Sequence, residues 1–81
     1  MQSDTPIVNI AAYKFITFDD TEQQRPRFQA ICADLALKGT ILLSPEGINL
    51  FLAGARQGID QFLSWLRCDT RFADIEVKES F

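Results

Sequence analysis

Lys38–Gly54, KGTILLSPEGINLFLAG, is the stretch whose reading decides the fold. A Lys-Gly pair opens it and the apolar run Ile41-Leu42-Leu43 follows. Ser44-Pro45-Glu46-Gly47 interrupts, a second apolar run resumes, and Gly54 closes it. Two apolar runs of this length around a Pro and a Gly predict strand, tight turn, strand, here over 40–44 and 48–53. Glu46 and Asn49 stand at the mouth of the second strand, where an acid and an amide are an unusual choice for a plain turn.

Upstream, Ile7 to Phe15 alternates and predicts a first strand, with Val8, Ile10 and Ala12 on one face and Asn9, Ala11 and Tyr13 on the other. A loop to Gln24 carries Asp19 and Asp20. Phe28, Ile31, Cys32 and Leu35 then recur at helical spacing. Thr21 and Gln24 could form a capping box, but Pro26 would then lie inside the helix. Because Pro suits a first turn, the expected start is close to Pro26, and Gly39 is the expected stop. Downstream, Ile59, Phe62, Leu63 and Leu66 make a second helical stripe, with Trp65 off it. Phe72 is expected to fold back onto the core. Residues 75–78 predict a last strand with Ile75 and Val77 facing in.

The order is therefore strand, helix, strand, strand, helix, strand. Each helix has one apolar stripe, so both belong on one side of one sheet. Right-handed crossovers then place the first and third strands at the centre. The result is an α+β, ferredoxin-like βαββαβ sandwich: a four-stranded antiparallel sheet with two helices on one face and the other face open. Parity puts Tyr13 and Phe51 on that open face with Asn9, Asn49 and Lys78.

Eighty-one residues, 47% of them hydrophobic and seven of them Phe, fill one core, so residues 1–81 are expected to be a single domain. A chain this short buries only about 60% of its unfolded surface and should be modestly stable. Its net charge of −3 argues against autonomous, nonspecific nucleic-acid binding. Without His, the commonest general base and metal ligand are missing. Cys32 and Cys68 are too far apart for a zinc pair and too few for a disulfide framework. Neither a metal nor another cofactor is expected. Met1–Val8, MQSDTPIV, lacks the basic start and apolar core of a leader, and no apolar run is long enough for a membrane. A cytoplasmic protein is the expectation.

Several segments, in this order and spacing, resemble a known family: Ala12-Tyr13-Lys14-Phe15, Leu37-Lys38-Gly39, Glu46-Gly47-Ile48-Asn49, Phe62 to Phe72 (FLSWLRCDTRF) and Val77-Lys78-Glu79-Ser80. The chain resembles the N-terminal domain of the rhodanese-domain tRNA uridine hydroxylases, which act on the wobble uridine. The resemblance implies the same fold in its acylphosphatase-like form. It also implies a parent enzyme, an oxidoreductase of tRNA modification, that oxidises C5 of the uridine to 5-hydroxyuridine in a dioxygen-dependent reaction. A rhodanese domain would follow in the same polypeptide. That domain and tRNA are the implied partners, no catalytic residue is expected within this chain, and its implied role is to position tRNA or support the catalytic domain.

Two readings of the polar hairpin residues stay open. In one, Gly47 takes a positive φ, Glu46 is exposed in the turn, and Asn49 caps it through a local bond. In the other, Glu46 and Asn49 belong to a polar site completed by another domain. Tyr13 and Phe51 would either dock a neighbouring domain or stack bases, as the aromatics of single-strand RNA readers do. Lys14 and Lys38 lie in the matching segments and could touch a phosphate backbone. Arg25, Arg27, Arg56, Arg67 and Arg71 are scattered between acids, so solvated faces are expected for them. A non-catalytic protein-interaction module using the open face is the competing function. Acylphosphatase chemistry is disfavoured. It needs a cradle of backbone amides and an Arg in the loop after the first strand, whereas FITFDDTEQQ has two Asp and no Gly or Arg.

Overall fold

The computed structural model describes residues 6–80. The alternating Ile7–Phe15 segment forms strand β1, followed by helix α1 (Thr21–Asp34) and strands β2 (Lys38–Ser44) and β3 (Gly47–Ala55). Helix α2 (Arg56–Arg67), a 3₁₀ turn (Thr70–Phe72) and strand β4 (Val77–Ser80) complete the chain. The strands lie in the order β2-β3-β1-β4 with every neighbouring pair antiparallel. This is the split βαβ sheet that two one-sided helices require. Among the described residues, no helix is long and apolar enough to cross a membrane.

Strand alternation builds the core. Val8, Ile10 and Ala12 of β1 and Ile48, Leu50 and Leu52 of β3 are buried on the helix side. Against them α2 buries Ile59, Phe62, Leu63 and Leu66, the stripe its spacing predicts. Each such side chain contributes about 1.5–3 kcal/mol. Helix α1 gives less, since Phe28 is its only buried apolar side chain, while Ile31, Cys32 and Leu35 are half-buried. Trp65, off the α2 stripe, closes the helix–helix seam edge-on to Phe28, with ring centroids 4.9 Å apart. Phe72 does fold back and is buried beside Phe18.

Four local expectations are corrected. Helix α1 begins at Thr21, not near Pro26, and Pro26 lies inside it. Asp20 precedes the helix without the capping-box bonds, and its carbonyl accepts from the Gln23 and Gln24 amides. The ring at Pro26 removes one helical N–H and sits on an exposed face.

The helix also ends before Gly39. Ala36 adopts a left-handed φ of 56°. Leu37 N donates to Cys32 O at 2.9 Å and Ala36 N to Ala33 O at 3.2 Å, the two bonds of a Schellman cap. Gly39 instead belongs to β2, at φ 132°, where a Cβ would lie 1.9 Å from Phe51 O. The last strand starts at Val77, two residues later than expected, and Ile75 is buried in the segment before it.

At the hairpin, Gly47 has φ 153° and packs so close to β1 that a Cβ would stand 2.1 Å from Lys14 O. The turn's local side-chain bonds come from Ser44, not Asn49: Ser44 Oγ accepts from Glu46 N and donates to Gly47 O.

Candidate functional site

The ladders define the open face residue by residue. One row across β4, β1, β3 and β2 reads Ser80, Asn9, Ala53, Lys38, and the next reads Lys78, Ala11, Phe51, Thr40. Beyond these, β1, β3 and β2 contribute Tyr13, Asn49, Leu42 and then Phe15, Gly47, Ser44. Ile7 pairs with Ala55 at the opposite end. Ile7 (56% exposed), Tyr13 (66%), Phe15 (81%), Leu42 (59%) and Phe51 (56%) are all large apolar side chains on this face. Burying any of them would remove roughly 1.5–3 kcal/mol of unfavourable hydration.

Tyr13 and Phe15, two residues apart on β1, meet edge-to-face at 5.7 Å. With Leu42, Glu46 and Asn49 they line a groove of about 340 Å³ at the hairpin end. Asn49 stands between Tyr13 and Leu42 in the ladder, and Gly47, with no side chain, pairs with Phe15. The structure thus brings Tyr13, Phe51, Asn49 and Glu46 to one face and its rim.

It does not gather the lysines there. Lys14 has the opposite parity, and its Nζ donates to Arg71 O at 2.9 Å and to the Asp74 carboxylate. Lys38 and Lys78 sit on opposite edge strands, in adjacent rows. Three interstrand spacings separate them, roughly 14 Å. Sequence reasoning named two residues of the apolar face but passed over Ile7, Phe15 and Leu42. Strand parity through β1 and the β2–β3 pairing would have found all three.

A second polar cluster occupies the helix side of the hairpin end. The Arg71 guanidinium donates to Asp20 at 2.8 Å and to both oxygens of Asp69 at 3.1 and 2.7 Å. It lies 4.7 Å from the centre of the Phe18 ring. Asp20 also accepts from Gln24, the one buried polar residue among those described, and Gln24 accepts from Arg27. Hydrogen bonds from Arg71 hold both carboxyls below the usual range, Gln24 helps at Asp20, and the carboxylates raise Arg71 in turn. Lys14 lowers Asp74, and Arg56, forked onto Glu79 by two 2.9 Å bonds, lowers Glu79. Burial pushes the Cys32 thiol up, which keeps it protonated.

This cluster is a brace. Ile16 N and Phe18 N, in the loop after β1, donate to Glu46 O and Pro45 O of the hairpin. The guanidinium beside that loop is filled by two carboxylates. An anion cradle needs free amides and an unpaired cation, whereas the Ile16 and Phe18 amides and the Arg71 guanidinium are already engaged.

A family model described as the UPF0176 acylphosphatase-like domain matches residues 7–81. The chain belongs to this family. Similar curated relatives include the tRNA uridine(34) hydroxylase of Cupriavidus pinatubonensis, 64% identical over 74 residues, covering 91% of this chain and 26% of that protein. The proteins of the same name from Bordetella avium and Burkholderia ambifaria are 62% and 53% identical over 91% of this chain, covering 31% and 28% of their own lengths. The UPF0176 domain described here therefore spans less than a third of the length of these relatives. Its acylphosphatase-like fold agrees with the observed strand order and one-sided helices.

Proposed function

We propose that this UPF0176 domain is the N-terminal accessory domain of a cytoplasmic tRNA uridine hydroxylase. In this reading the parent oxidises C5 of the wobble uridine to 5-hydroxyuridine, using dioxygen, and a following rhodanese-like domain performs the chemistry. The domain described here helps to position the tRNA or supports that catalytic domain. The carrying observation is the 64% identity over 91% of this chain to a protein named tRNA uridine(34) hydroxylase. The brace around Arg71 supports a non-catalytic role, since its guanidinium is paired with two carboxylates and two amides of the loop after β1 are bonded to the hairpin.

A chimera tests the reading. This chain replaces the matching segment of the Cupriavidus pinatubonensis relative, in a strain that lacks its own hydroxylase, and 5-hydroxyuridine in tRNA is measured by nucleoside mass spectrometry. Modification near the level given by the intact relative is expected. A folded chimera that leaves the wobble uridine unmodified counts against the proposal.

The exposed apolar face favours one second reading, a protein-interaction module with no part in tRNA modification. It predicts that the same chimera is inactive while the isolated chain binds another protein through that face.

A further inference from the structure

We infer that the open face of the sheet is the surface on which the rest of the parent polypeptide docks, centred on Tyr13, Phe15, Leu42 and Phe51. The inference rests on the accessory-domain reading and names the contact it requires. Four observations carry it. The first is segregation: all five large hydrophobic side chains that are exposed among the described residues stand on this one face. Large apolar groups scattered singly need no explanation, but a set segregated to one side of a small domain, with Tyr13, Phe15 and Leu42 lining one groove, marks a covered surface.

The second is size. Nine residues of β1 run roughly 27 Å and four strands span about 19 Å, so the face offers about 500 Å² per partner. Interdomain contacts within one chain bury about 600–1,500 Å² in total, which this face matches. The third is composition, because Asn9, Asn49 and Thr40 sit between the apolar groups in the ladder. That mixture suits an interdomain contact, which is more polar than an obligate interface.

The fourth observation selects the occupant. The relatives hold about three quarters of their length outside the matching segment. A tethered partner meets the face at about millimolar effective concentration, so modest complementarity suffices. An RNA strand is the poorer fit. Lys38 and Lys78 stand on opposite edges, farther apart than the ~8 Å screening length, Lys14 is engaged on the other side, and Glu46 rims the aromatic groove.

The test uses the chimera with Tyr13→Thr plus Phe51→Thr, and separately Phe15→Glu. Threonine keeps strand propensity, so the pair serves if the charged variant fails to fold. Thermal melts of the 81-residue chain carrying each change check that it still folds. In the chimera, the rate of limited proteolysis at the interdomain junction and the affinity for unmodified tRNA are both measured. Junction cleavage at least five times faster, with tRNA affinity changed less than threefold, is expected. Unchanged cleavage overturns the proposal. So does a loss of tRNA affinity of about 5- to 150-fold with cleavage unchanged, which would assign the face to base stacking. If the unsubstituted chimera lacks hydroxylation yet the variants still accelerate cleavage, docking stands and the accessory-domain reading falls.

Discussion

At Gly47 the backbone conformation and the available space point the same way. Its φ of 153° strains any residue with a Cβ, and that Cβ would stand 2.1 Å from Lys14 O on the neighbouring strand. Gly47→Val should therefore cost about 1–3 kcal/mol in strain and a similar amount in forced separation of the strands. A domain of this length holds only about 4–12 kcal/mol in all. Thermal melting should show a variant that is largely unfolded or melts far below the parent, and an unchanged midpoint would mean that β1 and β3 are not so close. Ala36 presents the opposite case. It pays for a left-handed φ of 56° at the Schellman position that glycine occupies without strain. Ala36→Gly should raise stability by about 0.5–1 kcal/mol, less the entropy that glycine loses on folding. A calorimetric midpoint higher by about 2–6 °C is the expected reading. This site was hidden in the sequence, where Gly39 looks like the natural helix stop.

At the scale of elements, Arg71 joins the loop after β1 to the segment after α2 through Asp20 and Asp69. Both carboxyls are held below their ordinary pKa by that guanidinium. Such groups stabilise the fold above their unfolded pKa, near 3.8, and that contribution disappears as pH falls through the lower folded value. Arg71→Leu should lower the melting temperature at pH 7, where it leaves two carboxylates facing each other. The gap to the parent should narrow as pH drops below about 4. A gap independent of pH would show that Arg71 acts through packing on Phe18 alone. None of this was legible in the sequence, which offers Arg71 as one of several arginines between acids. The pairing spans 51 positions and exists only once α2 has turned the chain back.

For the molecule as a whole, the isolated chain should not hydrolyse acyl phosphates, transfer sulfur from thiosulfate or hydroxylate uridine in tRNA. It contains no His, its Cys32 thiol is pushed toward the protonated form, and the cation beside its first loop is saturated by carboxylates. Assays of the pure 81-residue chain with each substrate check this. Turnover that a substitution within the chain abolishes would place a working site in it. The same architecture separates a braced helix side from an open side that carries the exposed large apolar side chains.

Periodicity in the sequence was enough to determine the element order, the antiparallel sheet with β1 and β3 at its centre, the α2 stripe and the parity of Tyr13 and Phe51. Burial of one face per element leaves few other arrangements, and those signals are local. The resemblance in YKF and EGIN also pointed to the family to which the chain belongs. What the tertiary structure decided was everything that depends on distant segments meeting. Helix α1 starts at Thr21 and carries Pro26 inside it, on a solvent-exposed face. Gly47 is required because β1 passes beside it. Lys14 leaves the open face by one residue of parity and pairs with Asp74. Phe15 and Leu42 become one patch with Tyr13 because β3 between them presents Gly47 and Asn49. Spacing along a chain records which way a side chain points, but only the packed fold sets what stands opposite it.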